Sequence, residues 1–195
     1  IEGTDKLLGV MSESASNHAL SSLQKMGVNV LLEKLVTGYE NNEVIMNDGQ
    51  RISTQALIWV SGVTANQLGN IHSELIGRGG RLIVNEYNQL NGYENVFVIG
   101  DGCLQTEEKY PNGHPQVAPV AIQQGELVAK NLQRIMKGEP MKPFKYKNQG
   151  TLATIGRNKA VADIGNVRLH GFPAWVVWLV VHLRSILGVR NKIII

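Results

Sequence analysis

The stretch from residue 95 to residue 124 constrains this chain more than any other. Val96-Phe97-Val98-Ile99 is an unbroken apolar run, as in a strand covered on both faces, and it ends on Gly100-Asp101. Such strands deliver their last residues to the carboxyl edge of a sheet, where open α/β folds bind ligands. A glycine there lets the backbone come close to a ligand, and an ionised carboxylate accepts hydrogen bonds from sugar or polyol hydroxyls. The same pair also serves as a plain strand-to-turn junction. After a polar loop containing Pro111-Asn112-Gly113, a helical pattern opens at Ala118-Pro119-Val120-Ala121 and is ended by Gly138 and Pro140. A proline at the first helical position gives up only an N–H that the helix leaves unpaired. The helix start either favours negative charge or is simply well formed.

The upstream pattern is also α/β. Residues 12–27 read as a helix capped by Ser12 or Ser14 and stopped at Gly27, with residues 28–32 as the next strand. Residues 43–46 and 51–53 flank Asn47-Asp48-Gly49 as a hairpin, and 56–60 form an apolar return strand ending on Ser61-Gly62. This order suggests the tail of a nucleotide-binding unit. A linker-like stretch, 64–80, precedes a short strand at 81–84. Residues 151–155 and 160–164 read as strands joined by Gly156-Arg157-Asn158, and an apolar helix follows over 172–187.

At 195 residues the chain can bury a core as one large domain or two small ones. Its one cysteine, Cys103, excludes an internal disulfide and a multi-cysteine metal site, and no metal is expected. The net charge of +3 is uneven: from Met141 onward nine Lys and Arg residues, Arg184, Arg190 and Lys192 among them, stand against Asp163 alone. A basic end points to an anionic surface, membrane or nucleic acid. The cations are dispersed without an aromatic stacking platform, so nucleic acid is not expected. The apolar run of the last helix falls short of the roughly 20 residues that span a bilayer. With Trp175, Trp178 and the flanking cations it suits the membrane interface, although a buried core helix has the same periodicity. The start at Ile1-Glu2-Gly3 and the apolar finish suggest an excerpt of a longer polypeptide.

Several of these segments, in order, resemble one family. Val96–Asp101 followed by the Ala-x-Val-Ala-x-Gln-Gln-Gly-Glu helix is similar to type II NADH dehydrogenases, the single-subunit NADH:quinone oxidoreductases. So is Leu57-Ile58-Trp59-Val60-Ser61-Gly62-Val63, which resembles the family's crossover from the NADH domain to the FAD domain. Pro143-Phe144-Lys145-Tyr146 through Gly156-Arg157 resembles the segment after the flavin helix. Gly171-Phe172, Ala174-Trp175, Trp178-Leu179 and His182-Leu183 resemble the membrane-binding helices.

The resemblance implies a partial Rossmann-like FAD/NAD(P)-binding flavoprotein fold with a C-terminal membrane-associated helical segment. It implies the end of the NADH-binding domain over 1–62, the end of the FAD-binding domain over 63–145, and a strand pair with the membrane-associated helix over 146–195. Hydride would pass from NADH to FAD and electrons to a membrane quinone, with no catalytic side chain because the flavin does the chemistry. Gly100 and Asp101 fall on positions that bind the FAD ribityl and phosphate region. Ala118, Pro119, Val120 and Ala121 fall at the helix start facing the isoalloxazine, and Ser61 and Gly62 fall on the nicotinamide cleft. Pro119, Ile122 and Gln123 fall on the quinone side. The family usually carries Gln where this sequence has Pro119, whose ring has no donor or acceptor for a quinone carbonyl, and Gln116 is a nearby substitute. The implied location is the cytoplasmic face of the cell membrane as a peripheral protein, compatible with a homodimer. The glycine-rich fingerprints of FAD and NADH sites are absent from this sequence, so the chain alone is expected to be inactive. Two rival readings are a sulfide:quinone reductase-like flavoprotein, which needs redox cysteines, and a non-catalytic membrane- or partner-binding module.

Overall fold

The computed structural model describes residues 1–66 and 68–186, and these divide into two compact units. One combines Ile1–Trp59 with the segment from Gln149 onward, and the other is Val60–Asn148.

In the first unit, helix α1 (Glu13–Lys25) starts at Ser12, whose Oγ accepts from the Ala15 N–H at 3.3 Å. A meander follows, β1 (Val36–Glu40), β2 (Glu43–Met46) and β3 (Arg51–Ser53), antiparallel throughout. The expected hairpin at Asn47-Asp48-Gly49 is present, with Gly49 at φ +83°. The other half of the unit is an antiparallel sheet of β6 (Thr151–Gly156), β7 (Lys159–Ile164) and β8 (Val167–His170), followed by α3 (Gly171–Ile186).

Strand β7 is the centre of this unit because alternate residues on a strand face opposite sides. Val161 packs on one side with Met11 and Ala15 of the α1 region. Ala160 and Ala162 face the other way and pack with Ala174 of α3. Three small side chains in contact let α3 lie close on the sheet. Trp175 and Trp178 fill the space beside them, half-buried against this cluster. The tryptophans expected at an interface thus pack in part on the sheet. The exposed apolar residues of α3 include Phe172, Val176, Val180 and Leu183, with Phe172 57 % exposed. Among the described residues no helix is long and apolar enough to cross a membrane. Arg190 and Lys192, the terminal apolar run and the expected end of this helix at Leu187 lie outside the described residues.

In the second unit, two-residue strands β4 (Leu82–Ile83) and β5 (Cys103–Leu104) pair in parallel. Helix α2 (Ala118–Met136) buries Val120, Gln124, Val128 and Asn131, one stripe at helical spacing. The stretch at 64–80 is not a bare linker: it holds single 3₁₀ turns at Ser73–Leu75 and Arg78–Gly80.

Three expected strands are corrected. Residues 28–32 form no ladder, although the Glu2 N–H donates to Leu31 O and the Lys34 N–H to Glu2 O. Residues 56–60 form none either, with Ile58 84 % and Val60 85 % exposed. Residues 95–99 are held by an isolated bridge between Gln89 and Phe97 and by hydrogen bonds to Asn88 and Leu90. The common reason is that an apolar run becomes a strand only where a neighbour supplies a continuous row of backbone partners. None does so among the described residues.

Candidate functional site

The candidate site lies within the second unit, where β5, the end of the 95–99 stretch and the start of α2 converge. Gly100–Gly102 makes one 3₁₀ turn, closed by the Cys103 N–H donating to Gly100 O. Gly100 has φ +67°, in the left-handed region that glycine enters without cost, and a Cβ there would stand 3.3 Å from the Ala121 Cβ. The turn therefore sits directly on the first turn of α2.

Two glutamines hold this turn. The Gly100 N–H donates to Gln124 Oε1 at 2.7 Å, and Gln116 Nε2 donates to Asp101 O at 3.0 Å. The Asp101 side is exposed beside a cavity of about 370 Å³, lined among others by Thr64, Asn66, Leu68, Val98, Asp101 and Gly102. Gly102 lies in this wall, yet an added Cβ would meet no protein atom within 4 Å. The backbone at Gly102 thus borders open space on the cavity side. The cavity thus offers an apolar wall, a hydroxyl, an amide and a carboxylate, which suits a polyol-bearing ligand.

Behind the turn lies a buried polar network. Gln124 Nε2 donates to Gln105 Oε1 at 3.2 Å and lies 3.6 Å from Cys103 Sγ, while Gln105 Nε2 donates to Asn85 O at 2.8 Å. Asn88 Nδ2 donates to Val98 O at 3.1 Å and approaches the same sulfur at 3.6 Å. Burial, only partly offset by these amides, pushes the Cys103 thiol up to about 11. It is therefore a protonated packing residue at neutral pH.

A second buried group stands in the loop before α2. His114 is 4 % exposed and ringed by Tyr110, Phe144 and Tyr146 at centroid distances of 4.9, 5.3 and 5.7 Å. Neither of its ring nitrogens has a hydrogen-bond partner, and burial holds its pKa below the ordinary imidazole value.

The remaining sequence candidates are placed as follows. Ala118 and Pro119 are exposed at the start of α2, Ala121 lies against Gly100, and Val120 is buried in the unit's own core. Val117, at the N-cap, has no side-chain hydrogen bond to the helix. Ile122 is exposed, while both ends of the Gln123 amide are bonded to the Lys147 backbone at 3.0 Å. Ser61 and Gly62 are exposed, with Gly62 at φ +104°, shortly before cavity residues Thr64 and Ala65. Sequence reasoning passed over Gln124, Gln105 and Asn88 as buried groups. The signal for Gln124 was its place on the apolar stripe, four residues after Val120 and four before Val128.

Residues 1–125 match the pyridine nucleotide-disulphide oxidoreductase family, and residues 148–195 match the NDH2 C-terminal domain. The chain is 34 % identical, over 99 % of its length, to a Mycobacterium tuberculosis protein named type II NADH:quinone oxidoreductase Ndh, of which it covers 43 %. It is 32 % identical, over 95 % of its length, to a Staphylococcus aureus protein named type II NADH:quinone oxidoreductase, of which it covers 47 %. The chain therefore spans about half the length of the curated relatives it matches. A structure of NDH2 from Plasmodium falciparum in complex with NADH superposes with TM-score 0.85 over 98 % of this chain and 55 % of that one, at 17 % identity. A ferredoxin reductase from Rhodopseudomonas palustris superposes with TM-score 0.59 over 83 % of this chain and 45 % of its own, at 14 % identity. These likenesses show an α/β, Rossmann-like dinucleotide-binding fold.

Proposed function

The chain belongs to the pyridine nucleotide-disulphide oxidoreductase family, with the type II NADH:quinone oxidoreductases as its relatives there, and from that premise we propose that it is the flavin-facing part of such an enzyme. The single observation that carries this reading is the cavity of about 370 Å³ bordered by the exposed Asp101 carboxylate. FAD bound there would accept hydride from NADH and pass electrons to a quinone. The remaining length of the relatives would supply the glycine-rich ends of both dinucleotide sites, and backbone partners for the exposed run at 56–60.

Asp101 would accept hydrogen bonds from ribityl hydroxyls, Gly100 would let the turn lie close on α2, and Gly102 would border the chain of the cofactor. The start of α2 would set its positive dipole end toward the electron-rich pyrimidine edge, through exposed Ala118 and Pro119 and adjacent Ala121, with Val120 supporting them from beneath. Ser61 and Gly62 would border the nicotinamide. On the quinone side, Pro119 and Ile122, with neighbouring Val117, would offer an apolar surface. Gln123 would contribute only by sharing an amide already bonded to Lys147. Exposed Phe172, Val176, Val180 and Leu183 of α3 would lie in the headgroup region of the cytoplasmic membrane face.

A sulfide:quinone reductase is disfavoured for this half, since Cys103 is buried with its thiol pushed up to about 11. The test uses the full-length protein carrying this chain, purified with FAD and given NADH or sulfide as donor and a short-chain quinone as acceptor. NADH-dependent reduction is expected. Bound flavin with no NADH-dependent turnover, or turnover with sulfide alone, would sink the proposal.

A further inference from the structure

We infer that Gln124 is a positioning residue that fixes the Gly100-Asp101 turn to helix α2, and so sets where the Asp101 carboxylate stands against the cofactor. The inference rests on reading the Asp101 cavity as the flavin site. Gln124 is 1 % exposed, so its amide is fully committed to neighbours within the fold. Only its oxygen can serve the Gly100 N–H, because that donor requires an acceptor. Its nitrogen is held by Gln105, which is anchored in turn on the Asn85 carbonyl just beyond β4. The amide is thus oriented from behind, and its oxygen is presented to the turn in one direction only.

The position of Asp101 depends on this bond for a geometric reason. Gly100 lies 3.3 Å from Ala121 when given a Cβ, so turn and helix are already at closest approach, one residue before the carboxylate. Gln116 holds the Asp101 carbonyl, but it does so from an intermediate-exposure site on the loop. Gln124 is the tie that comes from the rigid helix. Without it the Gly100 N–H would lose its partner, and the turn would be free to shift away from α2 while Asp101 kept its chemistry.

The experiment is a double-mutant cycle in the full-length protein, reading FAD dissociation constants by flavin fluorescence for Gln124→Met, Asp101→Asn and the pair. Each single variant is expected to weaken FAD about tenfold, and the pair to be weaker by well under about a hundredfold, because both act through one carboxylate. Val128→Ala, on the same buried face, is expected to lower thermal stability without this coupling to Asp101. If Asp101→Asn leaves FAD affinity unchanged, the flavin reading fails and the inference with it. If Asp101→Asn weakens binding but its effect multiplies with that of Gln124→Met, the positioning role is overturned and the site stands. Should Gln124→Met not fold, Gln105→Met takes its place in the cycle, since it frees the amide without touching the turn. Simple multiplication with Asp101→Asn would overturn the role there too.

Discussion

Asp163 joins the C-terminal sheet to the start of helix α1, and its removal should be one of the more damaging single changes in the first unit. Its carboxylate accepts from the Ser12 N–H at 2.6 Å and from Ser12 Oγ at 2.9 Å, and it pairs with Arg168 Nε at 3.2 Å. The Asp163 side chain is only 14 % exposed, so little water replaces those bonds. Hydrogen bonds to a charged group contribute about 1.5–3 kcal/mol each, and taking the low end for a partly exposed site gives about 3 kcal/mol for Asp163→Ala. The Arg168 pair is 40 % exposed on the arginine side, and after screening it adds at most about 1 kcal/mol. Ser12→Ala removes one of the two bonds and the N-cap, for about 2 kcal/mol, while the Ser12 N–H still reaches the carboxylate. The double variant should therefore fall short of the sum by about 1.5 kcal/mol, the Oγ bond counted in both single variants. Urea denaturation followed by far-UV circular dichroism measures each value, with the thermal midpoint expected to drop by about 2–4 °C per kcal/mol. Additive single and double variants, or an Asp163→Ala change below about 0.5 kcal/mol, would show that these bonds do not hold the sheet to α1.

Further outcomes can be checked on the same protein. Gly100→Ala should cost about 1–3 kcal/mol, from the left-handed backbone and the contact with Ala121, and should lower flavin retention in the full-length protein. Unchanged stability in denaturant melts would contradict the turn geometry. His114 takes up a proton less readily when folded than when unfolded, so its contribution to stability is complete above the ordinary value of 6.5 and declines as pH falls through and below it. His114→Phe should flatten that part of the stability profile between about pH 7.5 and about pH 5.5, and an unaltered slope would exclude His114 as its source. Cys103 should resist a thiol reagent in the folded chain at neutral pH and react once unfolded, whereas rapid native labelling would show that it is not buried.

The sequence by itself determined the elements whose cause is local. The hairpin at Asn47-Asp48-Gly49, the Pro119 start of α2 and the turn at Arg157-Asn158 follow from a few neighbouring residues and appear where the pattern places them, and the cap of α1 is the first of the two serines that the pattern offered. Gly100-Asp101 read from the sequence as either a ligand edge or a strand-to-turn junction, and it stands as a 3₁₀ turn beside a cavity. What tertiary structure alone decided is which apolar runs obtain partners. Residues 56–60 and 95–99 carry the same strand signal as β7, but a ladder needs a second backbone at the right spacing, and no local pattern specifies one. Beyond the sequence, too, was the partial packing of Trp175 and Trp178 on the sheet, which depends on Ala160 and Ala162 of β7 and Ala174 of α3 leaving space. Gln124 belongs with them. Its residue type reads as a surface helix position, and only the arrival of the Gly100 N–H and Gln105 from elsewhere makes its burial affordable.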